Sequence, residues 1–193
     1  MFKIKWFLVF CVLMTSQVAY AFDDNRQGFI LGLGAGIHNV DIDFNFNGST
    51  ALSESESGLA TSFKIGAGIT NQFALYYVRN ASWYNAPYSD GVTISDITYT
   101  VGINGIGGTY YLSHSAPSGY FLGSIGIGDI SAPFESGVES DTGSALMFGG
   151  GYQVIEHIQL EATLLITEID SPDDNRINLK TSSIQFTVNY LWY

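Results

Sequence analysis

The chain holds a single cysteine, Cys11, only four prolines, and no run of 18 apolar residues. One thiol cannot build an internal disulfide framework or a cysteine-rich zinc site. Without a long apolar run there is no spanning helix, which needs about 20 such residues. Basic residues are also scarce. Seven Lys and Arg stand against 18 Asp and Glu in 193 residues, for a net charge of −11. A nucleic-acid binder needs a basic surface for phosphates, so that class is excluded. Charged residues reach only 13%, where soluble domains carry about a quarter. Glycine and aromatics are abundant instead: 22 Gly, 13 Phe and 12 Tyr. Such aromatic content is foreign to a disordered acidic chain. The length suggests one domain.

Residues 1–21 read as a targeting segment. Lys3 and Lys5 precede an apolar run of nine, Trp6 to Met14, and then Ala19-Tyr20-Ala21. A basic start, a short apolar stretch and an A-x-A site make a signal peptide, with cleavage predicted after Ala21. Nine apolar residues are too few to anchor a helix across a bilayer. Cys11 follows Phe10 inside the run, unlike a lipoprotein acylation site. The remaining 22–193 form one domain of 172 residues with no cysteine, five basic and 18 acidic residues.

That domain alternates with period two, the strand signal. Phe29, Leu31, Leu33, Ala35 and Ile37 share one face, with Ile30, Gly32, Gly34 and Gly36 on the other. Leu59, Phe63, Ile65, Ala67 and Ile69 oppose Ala60, Ser62, Lys64, Gly66 and Gly68. Ile158, Leu160, Ala162, Leu164 and Ile166 oppose Gln159, Glu161, Thr163 and Leu165. The last segment sets Ile184, Phe186, Val188, Tyr190 and Trp192 against Ser183, Gln185, Thr187, Asn189 and Leu191. Eight segments follow: 27–38, 58–70, 73–84, 93–112, 119–130, 143–154, 157–169 and 178–193. Connections 70–72, 113–118 and 155–156 are short; 39–57, 85–92, 131–142 and 170–177 are longer.

An even number of antiparallel strands, short turns at one end and long loops at the other is the rhythm of a bacterial outer-membrane barrel. Strands in lipid must pair both edges, so the sheet closes. The outer face is then apolar, and an eight-stranded interior has room for side chains only. A soluble sandwich or lipocalin-like barrel would turn its polar face outward and load it with Lys and Glu. Here that face is Gly, Ser, Thr and Asn in its middle. Tyr76, Tyr77, Trp83, Tyr84, Tyr110, Tyr111 and Tyr120 cluster near strand ends, where aromatics favour the lipid–water boundary. The expected fold is all-β: an eight-stranded antiparallel up-and-down transmembrane barrel with a filled interior.

The runs Gly28-Phe29-Ile30-Leu31-Gly32-Leu33-Gly34-Ala35-Gly36 and Gly119-Tyr120-Phe121-Leu122-Gly123-Ser124-Ile125-Gly126-Ile127-Gly128 resemble strands of OmpA-like and opacity-protein-like outer-membrane barrels. The C-terminal Asn189-Tyr190-Leu191-Trp192-Tyr193 is similar to the aromatic-ended signal those proteins offer the barrel-assembly machinery. Tyr193 lies one residue past the apolar phase that ends at Trp192. Either the strand gains a residue or the phase slips. The resemblance implies a monomer in the outer membrane of a Gram-negative cell, in contact with its lipid.

Acidic residues gather in the long loops and adjoining strand tips: Asp41, Asp43, Glu54, Glu56, Asp90, Asp96, Asp129, Glu135, Glu139, Asp141, Glu168, Asp170, Asp173 and Asp174. Arg176 and Lys180 alone offset them. Solvated, mutually repelling loops are the plain reading; attraction of cations, matrix or host surfaces is the sharper one. Asp43, Asn45, Asn47, Gly48 and Glu54 also match the D-x-[DN]-x-[DN]-G-x5-E spacing of a calcium loop. No helices flank it, and Asp41 to Phe46 continues the strand alternation. Calcium at Asp43, Asn45, Asn47 and Glu54 is the one cofactor expectation. A calorimetric titration giving no heat with millimolar calcium removes it.

Three charges belong to the predicted barrel body: Lys64, Arg79 and Glu161. Their similar depths suggest an interior ion-pair network. Strict alternation would place Arg79 on the lipid face, so the network requires a bulge that turns it inward. Enzyme readings are poor. His114 lies between Ser113 and Ser115 in a short turn, with Ala116 where a lipid A deacylase would carry serine. His38 has no nearby Ser, and His157 opens a strand beside Glu156. No G-x-S-x-G or histidine cluster occurs. The expected role is structural and interactive: envelope integrity, with loop-mediated binding or adhesion. A narrow porin-like channel for ions or small solutes comes second, and a lipid-modifying enzyme third.

Overall fold

The computed structural model describes residues 25–46, 49–89, 94–135, 140–170 and 177–193. The predicted signal segment and Cys11 lie outside them, as do Asn47, Asp90, Glu139, Asp173, Asp174 and Arg176. Eight strands run β1 (Gly28–Phe46), β2 (Ser49–Gly68), β3 (Phe73–Ser89), β4 (Ile94–Tyr111), β5 (Ser118–Ser131), β6 (Asp141–Ile155), β7 (Ile158–Asp170) and β8 (Ile177–Trp192). Each pairs antiparallel with its neighbour in sequence, and β1 pairs with β8 to close the barrel. Through the barrel body each described strand is paired on both sides, the condition for crossing lipid with strands, whereas above it β2 residues 49–58 pair only with β1 and β3 residues 84–89 only with β4.

The side-chain faces follow the period-two pattern. Ile37, Ile106 and Ile125 point outward, each about two-thirds exposed at 67%, 70% and 68%. Phe121, Phe186 and Val188 share that outer surface. An apolar outer surface of this extent suits hydrocarbon rather than water. From Phe29 to Ile37 a strand tilted about 40° climbs about 20 Å, close to the ~25 Å apolar band of such barrels. The inner face is packed and mixed: Asn80, Ser82, Ser183 and Gln185 are fully buried, and so are Val78, Ile103, Met147 and Leu165.

Three strands, β1, β2 and β3, run well past the sequence-based segments at their upper ends. β1 extends to Phe46 and β2 begins at Ser49, both inside the expected loop 39–57, and β3 continues through Ser89. The cause is a change in which face is apolar. The pairing of β1 with β2 stays in register from Gly28 to Phe44, so the backbone alternation is unbroken. Apolar residues nevertheless move from outward to inward positions near His38. Below it, Leu33 and Ile37 face out; above it, Val40 and Ile42 are buried inside while Asn39 and Asp41 are exposed. β3, β4, β7 and β8 do the same: Tyr84, Ile97, Val101 and Ile169 are buried inside, while Asn85, Asp96, Glu168 and Lys180 are exposed outside. The lower barrel is therefore built for lipid and the upper rim for water.

Candidate functional site

The barrel interior is organised around one ion pair. Lys64 on β2 points inward toward Glu161 on β7, with Nζ donating to Oε2 at 2.5 Å. The two side chains are 3% and 0% exposed. Tyr120 donates its hydroxyl to the same carboxylate oxygen at 3.1 Å. Lys64 Nζ lies 5.5 Å from the centroid of Tyr76, whose hydroxyl meets Thr109 at 2.8 Å. Two glycines make room for these rings. A Cβ at Gly151 would come within 2.5 Å of Tyr120, and one at Gly107 within 2.8 Å of Tyr76. Large inward tyrosines opposite inward glycines are thus part of the charge plug. That pairing was the sequence signal for Tyr76 and Tyr120, which the charge-based reading passed over.

A second layer closes the short-turn end. Arg26, just before β1, is 2% exposed. It donates Nε to Gln153 at 2.8 Å and Nη1 to the carbonyls of Asn71 and Ser113, each at 2.7 Å. Its guanidinium sits 4.1 Å from the centre of the Tyr111 ring. Tyr193 joins this layer. The strand phase does not slip at the C-terminus; Tyr193 simply takes the next inward position and is buried. Gln153 Nε2 donates to its hydroxyl at 2.6 Å, and that hydroxyl donates to the Glu156 carbonyl. Burial holds the Arg26 guanidinium below its ordinary pKa and pushes the Tyr193 phenol above its own.

Between plug and rim lies a polar middle. Ser82 and Ser183 meet at 2.7 Å, Gln185 donates to Ser82 at 2.9 Å, and Thr167 meets Thr181 at 2.8 Å. The Asn80 amide and the Ser62 hydroxyl are buried with no hydrogen-bond partner among the described residues.

Arg79 is not part of the interior network. The β3 pairings with β2 and β4 run without a register shift through position 79, so no bulge rotates it. Arg79 stays on the outer wall, where it meets Asp129 of β5 through both guanidinium nitrogens, Nη2 donating to Oδ2 at 2.9 Å. Asn104 on β4 donates to Asp129 at 3.1 Å and accepts from the Tyr77 hydroxyl at 2.9 Å. Gly102 provides the seat, since a Cβ there would stand 2.7 Å from Arg79 Nη1. Asp129, expected among the loop acids, is thus a partner within the wall. Lipid-facing charge is expensive when unpaired, and the bidentate pair with two polar neighbours offsets that cost. The apolar band on β3–β5 is interrupted here, and Thr100 and Ser131 continue the polar strip above it.

The rim holds a cavity of about 340 Å³ at the long-hairpin end. Its walls include Ile42, Phe44, Tyr84, Tyr99, Ile130 and Leu179. Tyr84 and Tyr99 pair across β3 and β4 with their rings stacked at 5.8 Å. Glu54 and Asp141 also line it.

The calcium pattern does not assemble among the described residues. Asp43 and Asn45 lie on the water-facing side of β1, with Asn45 bonded to the Asp43 carbonyl and to Thr50. Glu54, opposite Ile42 on β2, takes the inward face instead. Strand pairing thus sends the predicted ligands to opposite sides of the wall, and Asn47 is not described. No group of three His, Cys, Asp or Glu side chains is placed to hold a metal ion among the described residues. The histidines are dispersed. His38 Nε2 bonds the Trp83 carbonyl inside the barrel at 2.9 Å, His157 stacks on Tyr190 at 5.5 Å, and His114 is exposed in the short connection after β4.

No protein-family model matches the chain, and no curated protein matches its sequence. Solved structures do resemble it. Ail, the attachment invasion locus protein of Yersinia pestis, superposes with a TM-score of 0.50 at 14% identity, covering 85% of this chain and 99% of that one. OprG from Pseudomonas aeruginosa gives 0.51 at 11% identity, over 88% and 99% of the two chains. Neisserial surface protein A gives 0.50 at 14%, over 84% and 96%. The chain has the fold of these small outer-membrane barrels.

Proposed function

We propose that this protein is an outer-membrane barrel whose role is structural and interactive rather than conductive. Residues 1–21 direct Sec-type export through the periplasm and are cleaved off after Ala21. Insertion proceeds through the barrel-assembly machinery, which reads the C-terminal strand ending in Tyr190-Leu191-Trp192. The long-hairpin end faces outward as an acidic rim, and a monomer in outer-membrane lipid is the working unit. The observation that carries the reading is the plug. Lys64, Glu161, Tyr76 and Tyr120 fill the cross-section, and Arg26, Tyr111 and Tyr193 close the layer below.

Cell fractionation combined with gel mobility tests the location. The protein is expected in the outer-membrane fraction and migrates differently before and after boiling. Recovery as a freely soluble periplasmic protein overturns the proposal. Planar bilayers test the plug: the reading expects no unitary conductance steps. A narrow channel is the second reading, favoured by the unpartnered Asn80 amide and Ser62 hydroxyl, buried polar atoms of the kind enclosed water serves. Reproducible conductance steps, lost in a variant that enlarges no cavity, would establish it. The enzyme reading comes third, and unchanged lipid A mass on expression disposes of it.

A further inference from the structure

We propose that the rim cavity is a binding site for a small organic cation with an apolar body, an aromatic or short-chain alkyl ammonium. Three independent features of the rim converge on that chemistry. The first is the phase change near His38. An inner wall that mixes Asn, Gln, Ser and Thr with Ile103, Met147 and Leu165 at mid-barrel becomes mainly apolar above, with Val40, Ile42, Tyr84, Val101 and Leu179. The rim is thus an apolar container opening toward water, where solvation alone would favour a polar lining. The second is size. About 340 Å³ lies at the lower end of small-molecule pockets. The third is the character of the polar groups. Glu54 and Asp141 line the cavity. Neither Glu54 nor Asp141 has an ion-pair partner among the described residues, and no described lining residue is cationic.

Stacked tyrosine rings with carboxylates beside them favour a particular kind of guest. The faces of Tyr84 and Tyr99 offer negative quadrupole potential to a cation, strongest for a weakly hydrated ammonium. Ile42, Ile130 and Leu179 offer area for its apolar part. A metal ion would want several converging oxygens and no hydrocarbon wall, and an anion would be repelled. A neutral apolar guest would leave the carboxylates without a counter-charge. The inference depends on the barrel fold alone, not on where the barrel resides or whether it conducts.

Isothermal calorimetry on the full folded chain in a neutral maltoside detergent tests it. Benzyltrimethylammonium is the probe, with benzyl alcohol and benzenesulfonate as neutral and anionic counterparts. The ammonium is expected to bind saturably at one site, about tenfold or more tighter than either counterpart. Glu54→Gln should weaken the ammonium about tenfold and leave benzyl alcohol unchanged. Tyr84→Leu should weaken both. Heat-dependent gel mobility confirms that each variant is folded, and Asp141→Asn replaces Glu54→Gln should that variant fail. Equal binding of all three probes, no saturable heat up to roughly 10 mM, or a Glu54→Gln/Asp141→Asn double variant that binds like the parent would each overturn the proposal.

Discussion

Glu161→Gln should be the most destabilising single conservative change in the barrel, by about 3–5 kcal/mol. The glutamine keeps the shape and can still accept from Tyr120. What disappears is the negative charge 2.5 Å from a Lys64 ammonium that is 3% exposed. No second carboxylate is paired with Lys64 among the described residues, so an unneutralised cation would remain in the plug. The double variant Lys64→Met/Glu161→Gln should recover most of the loss, because both charges leave together and a buried pair often contributes little net over an apolar pair. Urea titrations followed by tryptophan fluorescence measure both. Should Glu161→Gln unfold at the parent's midpoint, the pair is not what holds the plug.

Asp129→Ala should cost about 2 kcal/mol, and for a different reason. The residue faces lipid, so the loss does not create a void in the core. It strips Arg79 of its bidentate partner on the outer wall, and a lone arginine on the lipid face costs about 2–4 kcal/mol at midplane and less toward either surface. Arg79 stands six residues above Phe73 and four below Trp83, between those limits. Arg79→Leu/Asp129→Ala should restore the parent stability, since the apolar band then continues across β3–β5. The Glu161 and Asp129 effects should add within a few tenths of a kcal/mol, because the clusters share no partner and lie on opposite faces of the wall. Strong coupling between them would contradict the outward placement of Arg79.

The lower barrel was legible in the sequence because lipid imposes one rule on every strand. Phe29, Leu160 and Phe186 all declare the same outward phase, and eight such segments close into one sheet. The upper rim was less legible because the rule reverses. Asp41, Ile42 and Asp43 still alternate, yet charge on the outer positions reads as a loop when lipid is assumed outside. The calcium spacing arose from the same source: alternating Asp and Asn are what a water-facing strand presents. Arg79 misled for a different reason. A lone arginine in an apolar phase invites a bulge, and its partner Asp129 lies 50 residues away, beyond any local pattern. Lys64 and Glu161, 97 residues apart, could be matched only because both are in the inward phase near short turns. Tyr193 was an apparent extra residue that became a plug once the neighbouring strands were in place.

The gap that Arg79, Asn104 and Asp129 open in the outer wall makes the barrel unequal around its circumference. On β6, β7, β8 and β1 the hydrophobic height is uninterrupted; on β3–β5 it stops short. A bilayer meets such mismatch by thinning beside the shorter flank or by letting the protein lean, at fractions of a kcal/mol per Å. The cylinder should therefore sit canted in its leaflets, with one preferred side for lipids of shorter acyl reach.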